Sequence, residues 1–327
     1  MTVKNLSVSL QTNHGLARVV DRLSFSLHSG EILGLVGESG CGKSITAAAL
    51  MGLVPSPAGM VTADQIMLGD KNLAQLNEAG LRRVRGSEIS MIFQEPLTAL
   101  DPVFSIGSQL STVIRRHRGE NRPQARRSSV DMLERVGMAD VQRIMHRYPH
   151  QLSGGMRQRV MIAMAMACRP RVLIADEPTT ALDVTTQAQV LEQLSELGQS
   201  FGTAILLITH DLAVVAQACD RVLIMYCGRI LEEAPVEALF TAPAHPYTAG
   251  LLAAVPRISS AEVQRVRAIP GQVPHPAALP EGCHFADRCA RADPQCRTVT
   301  PEMQAVDGQR SIHRHACHHP LSSPHEG

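Results

Sequence analysis

Nowhere in this 327-residue chain is there an apolar run long enough to cross a bilayer, and the opening MTVKNLSVSLQTNHG lacks the charged-then-apolar design of a secretory leader. Both absences predict a cytosolic protein, at most peripheral to a membrane. A dominant charge is missing too. The chain carries 31 Lys and Arg against 30 Asp and Glu, a formal net charge of +1, which argues against a nucleic-acid binder working through a broad basic field. Internal repeats and long low-complexity segments are also lacking.

What is present starts with eight cysteines, which in a reducing cytosol read as thiols or metal ligands rather than as a disulfide framework. Cys41, Cys168, Cys219 and Cys227 stand singly. The other four crowd the tail, three of them in GCHFADRCARADPQC at 282–296 and the last at Cys317. The length allows two domains, or one α/β domain with an appendage. Up to about residue 95, short apolar runs such as EILGLVG and ISMIFQ alternate with polar turns and predict mainly strands with one helix. The polar, basic RRHRGENRPQARRSSVDMLERVGM predicts helices within roughly 96–160. From there to about 235, VMIAMAMA, RVLIADEP and TAILLITHD resume the helix and buried-strand alternation of a parallel α/β sheet. Prolines 243, 246, 256, 270, 274, 276 and 280 then predict irregular structure, with a domain boundary near residue 240.

GESGCGKS at 37–44 fits G-x-x-x-x-G-K-[ST] and stands between the apolar strand EILGLV and the helix-forming ITAAALMGL. Gly37, Gly40 and Gly42 let successive N–H groups converge on one anion, at the positive end of a helix. Lys43 then reaches the β- and γ-phosphates, and Ser44 offers its hydroxyl to Mg²⁺. A phosphate cradle only binds. For hydrolysis, RVLIADEP at 171–178 places Asp176 and Glu177 at the carboxyl end of a strand, Asp176 suited to Mg²⁺ and Glu177 to polarising the attacking water.

LSGGMRQR at 152–159, Gln94 in MIFQEP, ALD at 181–183 and His210 in LLITHD complete a set that resembles the ATP-binding cassette (ABC) ATPases. The resemblance implies an α/β fold: a P-loop cassette with a RecA-like core, an antiparallel β subdomain and a helical subdomain at about 96–160, all within residues 1–240. It implies nucleotide contacts from Gly37, Ser39, Gly40, Cys41, Gly42, Lys43, Ser44, Ile45 and Gln94, and a Mg²⁺ set of Ser44, Gln94 and Asp176. Lys43, Gln94, Glu177 and His210 are the implied catalytic group. Ser153, Gly154, Gly155, Gln158 and Asp183 would serve an ATP held by a second cassette, the anion site of Ser153–Gly155 lying ahead of a helix expected near Met156. The family usually stacks an aromatic residue of the N-terminal loop on adenine, yet residues 1–24 contain no Phe, Tyr or Trp; His14 stands nearest that place.

GLVGESGCGKS, MIFQEPLTALDP, YPHQLSGGMRQRVMIAMA and HPYTAGLL resemble more closely the D-type ATPase of dipeptide and oligopeptide importers. So does the tail at 241–327, through Pro280, Gly282, Cys283, Cys289, Cys296 and Cys317. This implies an ATPase on the cytosolic face of the inner membrane, paired with an F-type paralogue, two permease subunits and an extracytoplasmic substrate-binding protein, with no nucleic acid. A nickel or metallophore importer keeps the same cassette, and a soluble ABC ATPase without a membrane partner is the rival of another class. The spacing C-x5-C-x6-C-x20-C lacks the C-x2-C knuckle of common zinc sites. Four thiolates accept zinc or an iron–sulfur cluster. The resemblance favours [4Fe–4S], with zinc or no metal as alternatives, in the role of a staple for a segment too poor in apolar residues to order itself. His284, His313, His315, His318 and His319 are expected at the surface, and the Arg115–Arg127 run as a solvated helical face.

Overall fold

The computed structural model describes residues 1–12, 15–94, 99–180, 182–255, 268–306 and 312–321. In chain order the elements are β1 (Thr2–Thr12), β2 (Gly15–Ser26), β3 (Ile32–Val36), α1 (Lys43–Leu50), β4 (Gly59–Thr62), β5 (Gln65–Leu68), β6 (Lys71–Asn72), α2 (Glu78–Val84) and β7 (Ile89–Ile92). Next come α3 (Ile106–Arg118), α4 (Arg122–Arg135), α5 (Val141–Ile144), α6 (Gly154–Met166), β8 (Val172–Asp176), α7 (Val184–Phe201) and β9 (Ala204–Thr209). The rest are α8 (Leu212–Ala218), β10 (Arg221–Tyr226), β11 (Arg229–Pro235), α9 (Val236–Thr241), α10 (Pro246–Ala253), α11 (Pro294–Thr298), β12 (Gln304–Ala305) and β13 (Arg314–His315). They form two compact units that ignore sequence order. One takes Met1, residues 26–32 and 67–208; the other takes 2–25, 33–66 and 209–327.

In the first unit β7, β8 and β9 run parallel, with Ile89 opposite Val172 and Val172 opposite Ala204. All residues of β8 and β9 are buried, as expected of strands covered on both faces. The region predicted as helical holds α3 and α4. Ile106, Leu110 and Ile114 recur every fourth residue along α3 and are fully buried. Arg115, Arg116, His117 and Arg118 fill its last turn, where cations complement the helix dipole. Asn121 and Gln124 form a capping box that starts α4. Much of the basic run is thus helix-end chemistry, and Arg118 is not merely solvated: it pairs with Glu120 at 2.7 Å and donates to the Ala167 carbonyl.

The second unit pairs β1 with β4 antiparallel and β3 with β10 parallel; β10 then turns back into β11, which carries β13 and, beyond it, β12. Three expectations need correcting. The first 95 residues hold two helices, not one: α2 spans seven residues and buries only Gly80 and Val84, too little to print an apolar period. Past residue 240 the prolines do not abolish regular structure, because Pro246 and Pro294 open α10 and α11, the position where a missing N–H costs nothing. Nor does the tail lack a core. Tyr247, Leu252, Cys283, Phe285 and Cys296 share one buried cluster with Val222, Ile224, Tyr226 and Leu231 of β10 and β11. The chain owns three Tyr and six Phe, and Tyr226, Tyr247 and Phe285 meet here with ring centroids 4.8–5.4 Å apart. Such pairs add about 0.5–1.5 kcal/mol each beyond area burial.

Candidate functional site

The glycine loop lies in the second unit, between buried β3 and α1. Gly37 is packed so closely that a Cβ there would sit 2.1 Å from the Met225 carbonyl oxygen. Gly42, at φ 109°, precedes α1 in a left-handed conformation and would meet the Val19 carbonyl at 2.6 Å. Lys43, only 6% exposed, donates to the carbonyls of Gly37 at 2.8 Å and Glu38 at 3.0 Å, with the Cys41 sulfur at 3.7 Å. An ammonium has three donors; two meet carbonyl oxygens here and the third meets only a weak sulfur acceptor. Burial pushes the Cys41 thiol up. Ser39 and Gly40 form the loop's turn, and Ser44 and Ile45 enter the first turn of α1. His210, also in this unit, follows β9 directly, exposed, one residue before the Asp211 that caps α8. His14 and Ala181 lie outside the described residues.

The first unit assembles the carboxylate side. Asp176 ends β8 and is 4% exposed. Glu177 turns into the left-handed region at φ 47°, its N–H donating to the Ile208 carbonyl at 2.9 Å. Left-handed backbone in a non-glycine residue costs of order 1–2 kcal/mol, and here it sits on the residue predicted to handle water. The Glu177 carboxylate accepts from Gln94 Nε2 at 3.2 Å and Thr180 Oγ1 at 3.0 Å. Two residues 83 apart in sequence, named from separate motifs, therefore touch. Ser44, Gln94 and Asp176 offer hydroxyl, amide and carboxylate oxygens, hard donors of the kind Mg²⁺ takes.

The LSGG segment begins a helix two residues earlier than expected. Ser153 is the cap of α6, its hydroxyl accepting from the Met156 N–H at 3.3 Å, so Gly154 and Gly155 lie in the first turn with unpaired helical N–H groups of the type that bind anions. A Cβ on Gly155 would meet Thr186 at 2.8 Å. Gln158 is 2% exposed, and its amide nitrogen has no partner among the described residues. Asp183 caps α7, accepting from Thr186 through both backbone and hydroxyl, contacts that hold its carboxyl below the usual range.

Cys283, Cys289, Cys296 and Cys317 are free thiols that line one small cavity with His245, His318 and His319. Burial pushes the Cys317 thiol up to about 11, and the other three cysteines add to the rise. Mutual repulsion of this kind suits a site that takes a cation, since metal binding is what deprotonates thiols. Among the described residues, however, no three of the four sulfurs lie within 4.8 Å of one another. The group that fits a metal ion by distance is Asp293, Cys296 and His319, whose ligand atoms lie within 4.8 Å of one another. The surface expectation fails for three histidines: His284, His313 and His315 are 6%, 1% and 5% exposed. His313 pairs with the buried Glu232 at 2.7 Å and His284 bonds the Cys227 carbonyl at 3.0 Å, partners 81 and 57 residues away that local sequence does not announce. Motif reading also missed Glu38, in the glycine loop, and the two residues that bind it, Tyr247 and Arg288. An acid inside a phosphate loop was the one available signal.

The ABC transporter family profile matches residues 20–180, and that of the oligopeptide/dipeptide transporter C-terminal region matches residues 231–296. The oligopeptide transport ATP-binding protein AppD of Bacillus subtilis is 51% identical over 293 residues, 90% of this chain and 89% of that protein. The dipeptide transport ATP-binding protein DppD of Escherichia coli is 45% identical over 322 residues, 98% of this chain and 97% of that one. Among solved structures, the dimeric bacterial ABC transporter cassette MJ0796 matches with a TM-score of 0.62 and 26% identity, covering 72% of this chain and 98% of its own. Among the described residues no helix is long and apolar enough to cross a membrane. This chain belongs to the ABC transporter family, as an ATPase of the branch that carries the oligopeptide/dipeptide transporter C-terminal region.

Proposed function

We propose that the chain is the ATP-hydrolysing subunit of an importer that carries di- and oligopeptides across the cytoplasmic membrane, seated on its cytosolic face. The observation that carries the peptide reading is similarity over nearly the whole chain, tail included, to oligopeptide and dipeptide transport ATP-binding proteins. In this reading residues 1–240 are the cassette, with the helical subdomain at 96–160, and 241–327 are the extension. Loop residues 37–45 and Lys43 bind the ATP phosphates. Ser44, Gln94 and Asp176 would hold Mg²⁺, which would supply neutralisation of the developing phosphate charge. Glu177 takes a proton from the attacking water, oriented by Gln94 and Thr180, while His210 steadies the γ-phosphate. Ser153, Gly154, Gly155, Gln158 and Asp183 complete the site of a second cassette, an F-type paralogue. Two permease subunits and an extracytoplasmic binding protein complete the assembly.

For the tail we propose a [4Fe–4S] cluster on Cys283, Cys289, Cys296 and Cys317, supported by their convergence on one cavity. The Asp293, Cys296 and His319 group favours a second reading, a single zinc ion with mixed ligands. Iron and sulfide analysis of anaerobically purified protein separates them: stoichiometric zinc without iron overturns the cluster. The function is tested by reconstituting the copurified complex in vesicles. ATP-dependent accumulation of labelled dipeptide is expected. Uptake of nickel or a metal chelate but no peptide overturns the cargo, and recovery of ribosomes or DNA without polytopic subunits overturns the transporter.

A further inference from the structure

Glu38 occupies a position of the glycine loop where the motif demands nothing, and by charge it is a liability. A carboxylate beside a cradle built for phosphates repels the ligand unless something cancels it. The tail cancels it. Arg288 Nη1 donates to Glu38 Oε2 at 2.7 Å across 250 residues of chain, with side chains 7% and 24% exposed. The guanidinium is fixed from other sides as well: Nε donates to the Pro270 carbonyl at 2.9 Å, Nη1 reaches the Tyr226 hydroxyl at 3.3 Å, and its carbon stands 5.7 Å from the Tyr226 ring centroid. A planar fork held at several points loses little freedom on pairing with Glu38.

The same residue is gripped through its backbone. The Glu38 N–H donates to the Tyr247 hydroxyl at 3.1 Å, and its carbonyl accepts from Lys43 at 3.0 Å. Lys43 thus rests on Glu38, whose N–H is held by Tyr247 of α10 and whose carboxylate is held by Arg288. Arg288 immediately precedes Cys289, so the ordering of the cysteine site and of this clamp are adjacent in the chain.

We propose that Arg288 is a positioning residue of the nucleotide site: it neutralises Glu38 and fixes the loop on which Lys43 rests, making the C-terminal extension a working part of ATP binding. This rests on the glycine loop binding ATP as described above. The test measures KM for ATP and kcat in the full-length chain within its assembled complex, for Arg288→Met, Arg288→Lys, Glu38→Gln and the double variant Arg288→Met with Glu38→Gln. Arg288→Met should raise KM about tenfold with a much smaller change in kcat. The rise should shrink in high salt, because it comes from an uncancelled charge. Arg288→Lys should recover part of the affinity, and adding Glu38→Gln to Arg288→Met should recover most of it. An unchanged KM in Arg288→Met overturns the proposal, and so does a loss that Glu38→Gln fails to relieve, which would mark a folding defect instead. Lys43→Ala is the separate control: if it binds ATP normally, the glycine-loop reading itself falls, whereas loss in Lys43→Ala with none in Arg288→Met sinks only the role of Arg288.

Discussion

The glycine loop and the cysteine tail are both held by a few side chains, but the loop is written in eight contiguous residues and the tail in pairs separated by tens to hundreds. In the loop the backbone itself is the ligand, so Gly37 and Gly42 carry their reason in the local geometry. In the tail, Glu232 meets His313, Cys227 meets His284 and Glu38 meets Arg288, contacts that exist only once β10, β11 and α10 are packed. A local motif announces what it does, whereas a long-range clamp must be seen.

The largest effect should come from the carboxylate side. Glu177→Gln keeps the hydrogen-bonding shape beside Gln94 and Thr180 but cannot accept a proton, so turnover in the assembled complex should fall by about 10²–10⁴-fold while ATP still binds. Metal content of the tail should not change. An unchanged ATPase rate overturns the base assignment; a loss of tail metal would mark a general folding defect in place of a lost base.

Glu232 comes next. It is fully buried and accepts from His313 and from the backbone N–H groups of Ala244 and His245. Glu232→Ala leaves those donors stranded and should cost about 3 kcal/mol, read as loss of protection of 231–316 in hydrogen exchange. Burial by itself would raise this carboxyl, but the bonds from His313 and the backbone outweigh it and hold it below its ordinary value of 4.5. The unfolded chain therefore takes up the proton first. Stability is full above pH 4.5 and is lost as pH falls through the depressed native value, so the tail should loosen on acidification. A tail equally protected at pH 3.5 and 7 would contradict the assignment.

Cys289→Ser is a smaller, more selective cut. It should lower tail metal content and, because Arg288 is the preceding residue, raise KM for ATP severalfold with kcat little altered. The tail cysteines belong to no nucleotide motif, and from sequence the substitution is expected to loosen the tail before it touches ATP. The Glu38 contact gives it a route to the loop. Metal loss with unchanged KM would confine the cysteine site to stapling.

Much of the fold was legible because buried strands and glycine turns are local statements. Asp176 and Glu177 at the end of a strand follow from a motif that stands on one element, whereas the contact of Glu177 with Gln94, 83 residues away, had to be seen. The left-handed backbone of Glu177 was not legible, since nothing in ADEP demands it. Three histidines were misplaced for the converse reason: polarity predicts exposure, and only the fold shows the Glu232 carboxylate and the Cys227 carbonyl that let His313 and His284 stay buried. The tail was read as too poor in apolar residues to order itself, yet Tyr247 and Phe285 find their core on strands of the cassette.

Ser153 offers the finest test of local against long-range meaning. Its hydroxyl caps α6, so Ser153→Ala should cost about 1 kcal/mol of stability, whatever else the residue does. Aspartate is as good a cap as serine, and Ser153→Asp should therefore leave the melting temperature near that of the parent. If the residue were only a cap, Asp would be silent in the ATPase assay. A carboxylate at the mouth of Gly154 and Gly155 instead repels any phosphate brought there by a second cassette, so turnover should fall in the assembled complex while ATP binding to the isolated chain, which uses the glycine loop, stays the same. Full activity in Ser153→Asp would reduce the LSGG segment to a helix start.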